Sequence, residues 1–371
     1  MIGVALMIVA VLLLAGHLMT TGLYLHRVLR SAKRSGTIGQ PRISLLRPVC
    51  GSDPFDEETL RSSFRLQYPD YQVIFCAPDA TDPSVPLVRR LIREHPLIEA
   101  RLLIGIDPVT GNPKLNNLSK GWRGASAEWV CMADSNLLLP PDYLSRIVEA
   151  WGSDTGLVSS PPIGIRPVGF AGSLECAFLN SNQARLQFAS DSIGNGFAQG
   201  KTLFWNKAML EKAGGITILG TNLAEDVAAT KVTRMLGKKV SLTHLPFAQP
   251  IGRRSLNQVW DRQLRWSRVR RDGFPLIFCA ASFVLGLSPA LLVGFLAIWY
   301  AAEVLLMRHA GWPAGPQDIA ALVVRDLSMP ALWAATFLRR GIEWRGNAMD
   351  VPRAVPDPSL PVAFRDEAAQ T

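Results

Sequence analysis

Short apolar runs alternate with helix-like stretches through the middle of the chain, from residue 40 to residue 252. This alternation is typical of strands joined by crossover helices, and it predicts an α/β fold with a mainly parallel sheet. Ligands of such sheets gather at the carboxyl ends of the strands, so the residues just after each strand are candidates for a site. The predicted strands are Ile43 to Leu46, Val73 to Ala77, Arg101 to Ile104, Trp129 to Ala133 and Gly156 to Ser159. The predicted crossover helices are Glu57 to Arg65, Leu87 to Glu94, Asn116 to Trp122 and Tyr143 to Trp151.

A long apolar segment begins the chain. Residues 1 to 25 contain no acid, Lys or Arg and are numerous enough to cross a bilayer as a helix. Basic residues follow this segment instead of preceding it, which favours a retained anchor over a cleaved signal peptide. By the positive-inside rule, the region that follows the anchor is expected on the cytosolic side.

Further apolar segments follow the middle region. The run from Phe274 to Met307 is too long for one untilted span and short for two, so it is one kinked span or a shallow hairpin. The next stretch, Ile319 to Leu338, contains Arg325 and Asp326, and part of it is therefore expected at the membrane interface. The predicted organisation is an anchor at 1–26, an α/β domain at 40–252, a basic interfacial helix at 253–273, membrane segments at 274–345 and a tail at 346–371.

Charge adds a membrane surface to this picture. The net charge is +9, and the densest basic cluster, from Arg253 to Arg271, holds seven arginines and two tryptophans directly before the second apolar region. Basic residues mixed with Trp at such a junction suit an anionic membrane surface better than nucleic acid. The five cysteines form no CxxC pair and the five histidines have no zinc-binding spacing. A bound metal would therefore use oxygen ligands.

Three acids follow predicted strands or begin a predicted helix. Asp79 comes after the second strand, Asp134 comes after the fourth in the segment Asp134-Ser135-Asn136, and Asp226 precedes a helix-like stretch. Taken alone, each acid is better explained as a helix cap or a turn residue. Two arginines, Arg262 and Arg265, share one helix face beside Trp266, where they could bind a departing diphosphate, although a plain interfacial basic helix would look similar.

The order of these motifs is more informative than any one of them. Asp79, then Asp134-Ser-Asn136, then Glu225-Asp226, then Arg262-Gln-Leu-Arg265-Trp266 resembles the D, DxD, D, (Q/R)xxRW pattern of family 2-type inverting glycosyltransferases with a GT-A fold. The segments at 76–83, 112–118 and 342–346 are similar to ceramide glucosyltransferases, and the resemblance runs from about residue 40 to residue 350.

The resemblance implies a membrane-bound enzyme that transfers a hexose from a UDP-sugar to a ceramide-type lipid hydroxyl with inversion, using Mg²⁺ or Mn²⁺. Two positions depart from the family pattern: Asn136 replaces a second acid, and Gln183 stands where animal ceramide enzymes carry His. The implied roles are a uridine contact for Asp79, donor binding for Lys114 and Asn117, metal binding for Asp134 and Asn136, general base for Asp226, diphosphate and acceptor contacts for Arg262, Arg265 and Trp266, and the acceptor region for Gln183 and Glu175.

Several alternatives remain open from the sequence. The acceptor could be a hopanoid, a diacylglycerol or another membrane alcohol, because lipid selectivity depends on pocket shape. A processive polysaccharide synthase would need more membrane helices than the two or three predicted after the α/β domain. A catalytically silent lipid or nucleotide binder would not be expected to retain every acid and the arginine motif. The expected location is an integral membrane position with the catalytic domain on the cytosolic face, in a bacterial inner membrane or a eukaryotic internal membrane such as the Golgi.

Overall fold

A computed structural model describes residues 2–30, 36–222, 224–273, 289–338, 342–344 and 347–349. The chain divides into two compact units. The first, here named the helical unit, comprises Met1–Lys33, Pro161–Gly196 and His244–Arg339. The second, here named the sheet unit, comprises Arg34–Ser160, Phe197–Thr243 and Arg340–Thr371. The domain limits proposed from the sequence are different boundaries and stay a prediction.

The described residues form eleven strands. They are β1 Ile43–Pro48, β2 Tyr71–Ala77, β3 Ala100–Ile104, β4 Trp129–Ala133, β5 Thr155–Ser159, β6 Pro162–Val168, β7 Thr202–Asn206, β8 Lys239–Leu242, β9 Phe247–Arg253, β10 Ile342–Trp344 and β11 Asn347–Met349.

The α-helices of the described residues are α1 Ile2–Leu29, α2 Asp56–Arg61, α3 Ser84–Glu94, α4 Pro113–Gly124, α5 Tyr143–Glu149, α6 Gly169–Ala177, α7 Arg185–Ser192, α8 Lys207–Lys212, α9 Glu225–Met235, α10 Leu256–Gly273, α11 Pro289–His309 and α12 Pro316–Thr336. Short 3-10 helices cover Ser62–Phe64 and Gly215–Gly220, and a π-helix, Phe178–Ala184, connects α6 to α7.

Seven strands form the sheet of the sheet unit, in the order β3-β2-β1-β4-β7-β5-β8. β1 is parallel to β2 and β4, β2 to β3, and β5 to β8, whereas β7 is antiparallel to both of its neighbours. Every residue of β2, β4 and β5 is buried, as expected for strands covered on both faces. The mainly parallel sheet, its five predicted strands and the four predicted crossover helices are confirmed. The sequence did not predict β7, which lies between β4 and β5.

Two helices of the sheet unit, α4 and α9, carry candidate site residues in their first turns. α4 begins because the Asn112 side chain accepts hydrogen bonds from the backbone N–H groups of Lys114 and Leu115, and Pro113 occupies the first turn, where a missing N–H costs nothing. α9 begins at Glu225 and carries Glu225 and Asp226 in its first turn. These starts place Lys114, Glu225 and Asp226 at helix amino termini.

The helical unit contains α1, α6, α7, α10, α11 and α12, the π-helix and a parallel pair of strands, β6 and β9. Three of its helical segments, Met7–Leu29, Leu292–His309 and Pro316–Thr336, are long and apolar enough to cross a membrane. An amino-terminal membrane helix and a carboxyl-terminal membrane region were both predicted. The part of the predicted Phe274 to Met307 run before residue 289 lies outside the described residues, as does nearly all of the predicted tail at 346–371.

The charges predicted within the last membrane segment have partners inside the protein. Arg325 is almost completely buried and pairs with Glu303 of α11 at 3.0 Å and with Asp326 at 2.7 Å. Its guanidinium also contacts the Ser181 hydroxyl of the π-helix. The charges are therefore compensated within the helical unit, which offsets part of the cost of placing them in an apolar helix.

Candidate active site

The carboxyl end of β4, the residues just before β7 and the first turns of α4 and α9 bring charged side chains together in the sheet unit. The Lys114 ammonium lies 2.6 Å from Asp134 Oδ1, 2.6 Å from Glu225 Oε1 and 2.7 Å from the Gly200 carbonyl oxygen. Burial alone would lower the pKa of Lys114, but the carboxylates of Asp134 and Glu225 raise it above its ordinary value. Lys114 is therefore positively charged and links Asp134, at the end of β4, to Glu225, at the start of α9.

Asp134 follows β4 and is held by two ammonium groups. Its Oδ1 atom faces Lys114, and its Oδ2 atom lies 2.9 Å from the Lys201 ammonium. Burial would raise the pKa of this carboxyl group, but the two lysines hold it well below its ordinary range. Lys201 Nζ also donates to Asn136 Oδ1 at 2.8 Å, so Asp134 and Asn136 direct one oxygen each at the same cation.

A buried arginine supports the loop that carries these two residues. Arg47 of β1 is fully buried and donates to the carbonyl oxygens of Ser135 and Leu137 at 3.0 and 3.1 Å, and to that of Thr59 at 2.9 Å. Burial lowers the pKa of Arg47 to about 10, which leaves it charged at neutral pH. Arg47 thereby fixes the backbone on both sides of Asn136.

Asp226 has the environment of a proton acceptor. The Gly200 N–H donates to its Oδ2 atom at 3.1 Å, and the Val227 N–H donates to its Oδ1 atom at 2.9 Å. Burial, followed by the neighbouring Glu225 charge, raises the pKa of Asp226 to about 6. A carboxylate with a pKa near 6 can accept a proton at neutral pH more effectively than an ordinary Asp.

Asp79 and Asn117 make contacts of another kind. Asp79 is exposed after β2, and its Oδ1 atom accepts hydrogen bonds from the backbone N–H and the hydroxyl of Thr81, which lowers its pKa. Among the described residues, no ion pair joins Asp79 to Lys114. Asn117 is buried and donates to the carbonyl oxygens of Val49 and Cys76 at the ends of β1 and β2. Their predicted contacts with a donor stay predictions.

The helical unit gathers four of the predicted residues around the π-helix. Arg262 of α10 lies 2.8 Å from the buried Glu175 carboxylate and 4.9 Å from the centre of the Trp266 ring. Gln263 donates to Glu175 at 3.5 Å and accepts from Gln183 Nε2 at 3.2 Å. Trp266 packs against the buried side chains of Cys176, Leu179 and Ile251. The Arg262 to Trp266 motif is thus on a helix, as predicted, and Arg262 forms an ion pair with the buried Glu175.

A π-helix inserts one residue per turn into an α-helix and often occurs at functional sites. Here the wider turn carries Gln183, and the preceding helix α6 carries Glu175, so both residues assigned to the acceptor region reach α10. Their assignment to the acceptor stays a prediction.

The model of the family described as Glycosyl transferase family 21 matches residues 6–354 of the chain. The chain belongs to glycosyl transferase family 21. Among curated proteins, it is 24% identical over 354 residues to "Ceramide glucosyltransferase 3" of Caenorhabditis elegans, covering 89% of this chain and 77% of that relative. It is 29% identical over 232 residues to "Ceramide glucosyltransferase 1" of the same organism, covering 62% of this chain and 50% of that relative. The predicted resemblance to ceramide glucosyltransferases is confirmed.

A solved structure supports the fold of this family 21 glycosyltransferase. The mannosyltransferase of Pyrobaculum calidifontis, in complex with GDP-Man and Mn²⁺, aligns with a TM-score of 0.52 and 18% identity, covering 89% of this chain and 97% of that structure. At this identity the likeness concerns the fold, and the predicted GT-A class is confirmed.

The donor set of the family 21 site can be compared with what a divalent ion requires. No group of three or more His, Cys, Asp or Glu side chains suited to a metal occurs in the part of the chain that the structure describes. Asp134 and Asn136 nevertheless present two hard oxygen atoms that already face one cationic group, Lys201. Mg²⁺ and Mn²⁺ take such oxygens and are usually completed by a diphosphate and water. The two residues therefore fit a shared metal site.

Three residues of the site were not singled out in the sequence. Lys201 and Gly200 precede β7, and Arg47 lies within β1. Ala133 of β4 pairs with Thr202 of β7, and the Asp134 N–H donates to the Lys201 carbonyl oxygen at 3.1 Å, so the sheet register places Lys201 beside Asp134. Because the sequence did not predict β7, it offered no signal for these neighbours.

Proposed function

We propose that this family 21 chain transfers a hexose from a UDP-sugar to the hydroxyl of a ceramide-type lipid, with Asp226 as the general base. The observation that carries the proposal is the position of Asp226, a half-buried carboxyl group with a raised pKa. The Gly200 backbone contacts both Asp226 and Lys114, and Lys114 in turn contacts Asp134. The names of the curated relatives support ceramide as acceptor and glucose as the sugar.

The proposed step is a single displacement. The lipid hydroxyl oxygen forms a bond to the anomeric carbon while Asp226 accepts the hydroxyl proton. The bond from that carbon to the diphosphate oxygen breaks, and UDP departs with the electron pair. Attack opposite the leaving group inverts the anomeric configuration. General-base help of this kind contributes about 10² to 10⁴ in rate.

Other residues of the chain would bind and orient the reactants. Asp134 and Asn136 would hold a divalent ion, Mg²⁺ or Mn²⁺, which supplies positive charge to a diphosphate when bound. Support comes from their two oxygens and from the Mn²⁺ in the structure of the mannosyltransferase with the same fold. Lys114 adds a second positive charge. Asp79 and Asn117 would contact the donor nucleotide.

The remaining residue roles are assigned to side chains of the helical unit. Arg262 and Trp266 are held in place by Glu175 and by each other, and Arg265 lies on the same helix. We assign the diphosphate and lipid contacts to these three residues and the acceptor region to Gln183 and Glu175. The proposed topology has the anchor at 1–26, the basic helix at 253–273, the membrane segments at 274–345 and the catalytic domain on the cytosolic face.

The test is product analysis by mass spectrometry. Detergent-solubilised protein is incubated with ceramide, a panel of UDP-sugars and Mg²⁺ or Mn²⁺, with Asp226→Asn as the matched variant. We expect hexosyl-ceramide from the wild type, a loss of about 10² to 10⁴ in turnover for the variant, and similar UDP binding by both. Transfer to a hopanoid or diacylglycerol, but not to ceramide, would retain the chemistry and refute the acceptor. UDP binding without any product would refute the transferase.

A further inference from the structure

One side-chain oxygen of Asp134 and one of Asn136 both contact the ammonium group of Lys201. Lys201 Nζ lies 2.9 Å from Asp134 Oδ2 and 2.8 Å from Asn136 Oδ1, distances typical of charge-assisted hydrogen bonds. A divalent ion would lie about 2.1 Å from each oxygen. The ammonium therefore occupies the place between the two oxygens that such an ion would use.

The position of Lys201 is built into the sheet. Asp134 and Lys201 extend the β4–β7 pair by one residue beyond the Ala133–Thr202 partners, with a backbone hydrogen bond from Asp134 N–H to Lys201 O. The Lys201 side chain is mostly buried, with 12% exposure. Arg47 fixes the backbone that carries Asn136. The backbone at Lys201, Asp134 and Asn136 is thus fixed, and only the lysine side chain can swing away from the two oxygens.

From this geometry we infer that Lys201 is a positioning residue that competes with the divalent ion for the Asp134 and Asn136 oxygens. This inference rests on the metal role in the proposed function. An ammonium in contact with both oxygens repels a divalent ion at the same place, so ion binding favours movement of the ammonium away from them. Free metal therefore binds weakly, and the ion binds together with the nucleotide, whose diphosphate adds negative charge. By linkage, the nucleotide and the ion strengthen each other's binding by the same factor.

The test measures Mn²⁺ binding to the full detergent-solubilised chain by electron paramagnetic resonance, with and without UDP. Lys201→Met keeps the length of the side chain and removes the ammonium. Without UDP we expect this variant to bind Mn²⁺ at least about ten-fold more tightly than the wild type, because a like charge in contact with the ion is gone. The enhancement of Mn²⁺ affinity by UDP should be smaller in the variant than in the wild type.

Three controls make the result specific. Lys201→Arg keeps the charge and should bind Mn²⁺ as weakly as the wild type. Lys239→Met removes an exposed lysine that pairs with Asp154 and should leave Mn²⁺ affinity unchanged. Adding Asp134→Asn to Lys201→Met should abolish the gain in affinity. Thermal unfolding of each variant confirms that it is folded, and Lys201→Gln replaces Lys201→Met if that variant is unfolded.

Two results would overturn the inference: Mn²⁺ affinity of Lys201→Met equal to or below that of the wild type, and a gain that persists when Asp134 is replaced. The outcome is separate from that of the proposed function. A gain in Mn²⁺ affinity together with no hexosyl lipid from the wild type supports the competition and refutes the transferase, whereas hexosyl lipid with no gain does the reverse.

Discussion

The protonation of Asp226 links its environment to a measurable pH profile. Only the carboxylate can accept the lipid proton, and the pKa of this group is raised to about 6 by burial and by Glu225. We therefore expect kcat/KM to be constant above about pH 7, to be halved near pH 6 and to fall about ten-fold per pH unit below about pH 5. An ordinary Asp would place this fall near pH 4. The measurement is the initial rate of lipid glycosylation at low substrate between pH 4.5 and 8.

The same profile has a matched control in Glu225→Gln. Removing the neighbouring negative charge should lower the pKa of Asp226 and move the acidic fall toward lower pH. The variant also removes a partner of Lys114, so its plateau rate should be lower than that of the wild type. A fall near pH 4 in the wild type, unchanged in the variant, would contradict the role of Asp226.

The neighbours of Gly200 leave little space for a side chain at this position. A Cβ atom at this position would lie 2.5 Å from Glu225 Oε1 and 3.4 Å from Lys114 Nζ. The first of these atoms is the end of a flexible side chain, so Gly200→Ala should displace Glu225 at little cost in stability. We expect transfer activity to fall at least about ten-fold, with a change in the free energy of unfolding below about 1 kcal/mol. Activity and thermal unfolding are measured on the same preparation.

The control for this substitution is Gly156→Ala. Its Cβ atom would lie 2.7 Å from Lys238 Cβ and 3.0 Å from Thr233 Cγ2, at the start of β5. Overpacking there should cost about 1–3 kcal/mol of stability, while the folded protein keeps its specific activity. If Gly200→Ala were fully active, Gly200 would not be needed to arrange Glu225 and Lys114.

The sequence predicted the acids of the site better than their partners. Asp134 and Asp226 could be found because each follows a strand or begins a helix within an ordered motif. Lys201 could not, because its position depends on the register between β4 and β7, which are about seventy residues apart. Arg47 could not, because an arginine within a strand is ordinarily read as an exposed residue. Long-range strand pairing determines the position of Lys201, and the burial of a charged side chain distinguishes Arg47.

At the scale of elements, α11 and α12 are joined by a buried ion pair. Arg325 contacts Glu303 at 3.0 Å, and both side chains are almost completely inaccessible to solvent. Removing one partner leaves an uncompensated buried charge, which typically costs about 3–5 kcal/mol. We expect Arg325→Met to be more destabilising than Glu303→Gln, because Arg325 also neutralises Asp326. Unfolding in mixed detergent micelles measures both variants.

A double variant separates pairing from burial. Arg325→Met combined with Glu303→Gln should cost less than the sum of the two single changes, because neither Arg325 nor Glu303 is then left without the other. As an exposed control, Arg42→Met removes a pair with Glu99 in the sheet unit and should cost about 0–1 kcal/mol. Additive costs for Arg325 and Glu303 would show that the pair does not stabilise the helices.

The elements that the sequence missed share a physical cause. Four of the five predicted strands are apolar runs followed by a helix, which is a local pattern. β7 has five residues, like β4 and β5, but it pairs antiparallel with both, and no local signal specifies that it lies between them. The π-helix likewise depends on packing among α6, α7 and their neighbours rather than on composition. Such features are determined by tertiary contacts, so the fold class was predictable and these details were not.

At the scale of the whole molecule, the cysteines allow the predicted topology to be tested. Cys50 in the sheet unit is exposed, whereas Cys76, Cys131 and Cys176 are buried. Burial also raises the pKa of the Cys76 thiol to about 11 and that of Cys131 to about 12, which makes them unreactive at neutral pH. Cys279 lies outside the described residues and is replaced by Ser for the experiment. Labelling by a membrane-impermeant maleimide then reports on Cys50.

The positive residues that follow the amino-terminal membrane helix predict that the sheet unit faces the cytosol. In sealed bacterial vesicles, Cys279→Ser should therefore be labelled when the vesicles are inside-out and protected when they are right-side-out, until detergent is added. The Cys50→Ser, Cys279→Ser double variant should stay unlabelled in both. Labelling in right-side-out vesicles alone would place the sheet unit outside. A nucleotide sugar made in the cytosol could then not reach Asp134 and Lys114, so this single measurement also tests whether the proposed donor is available to the site.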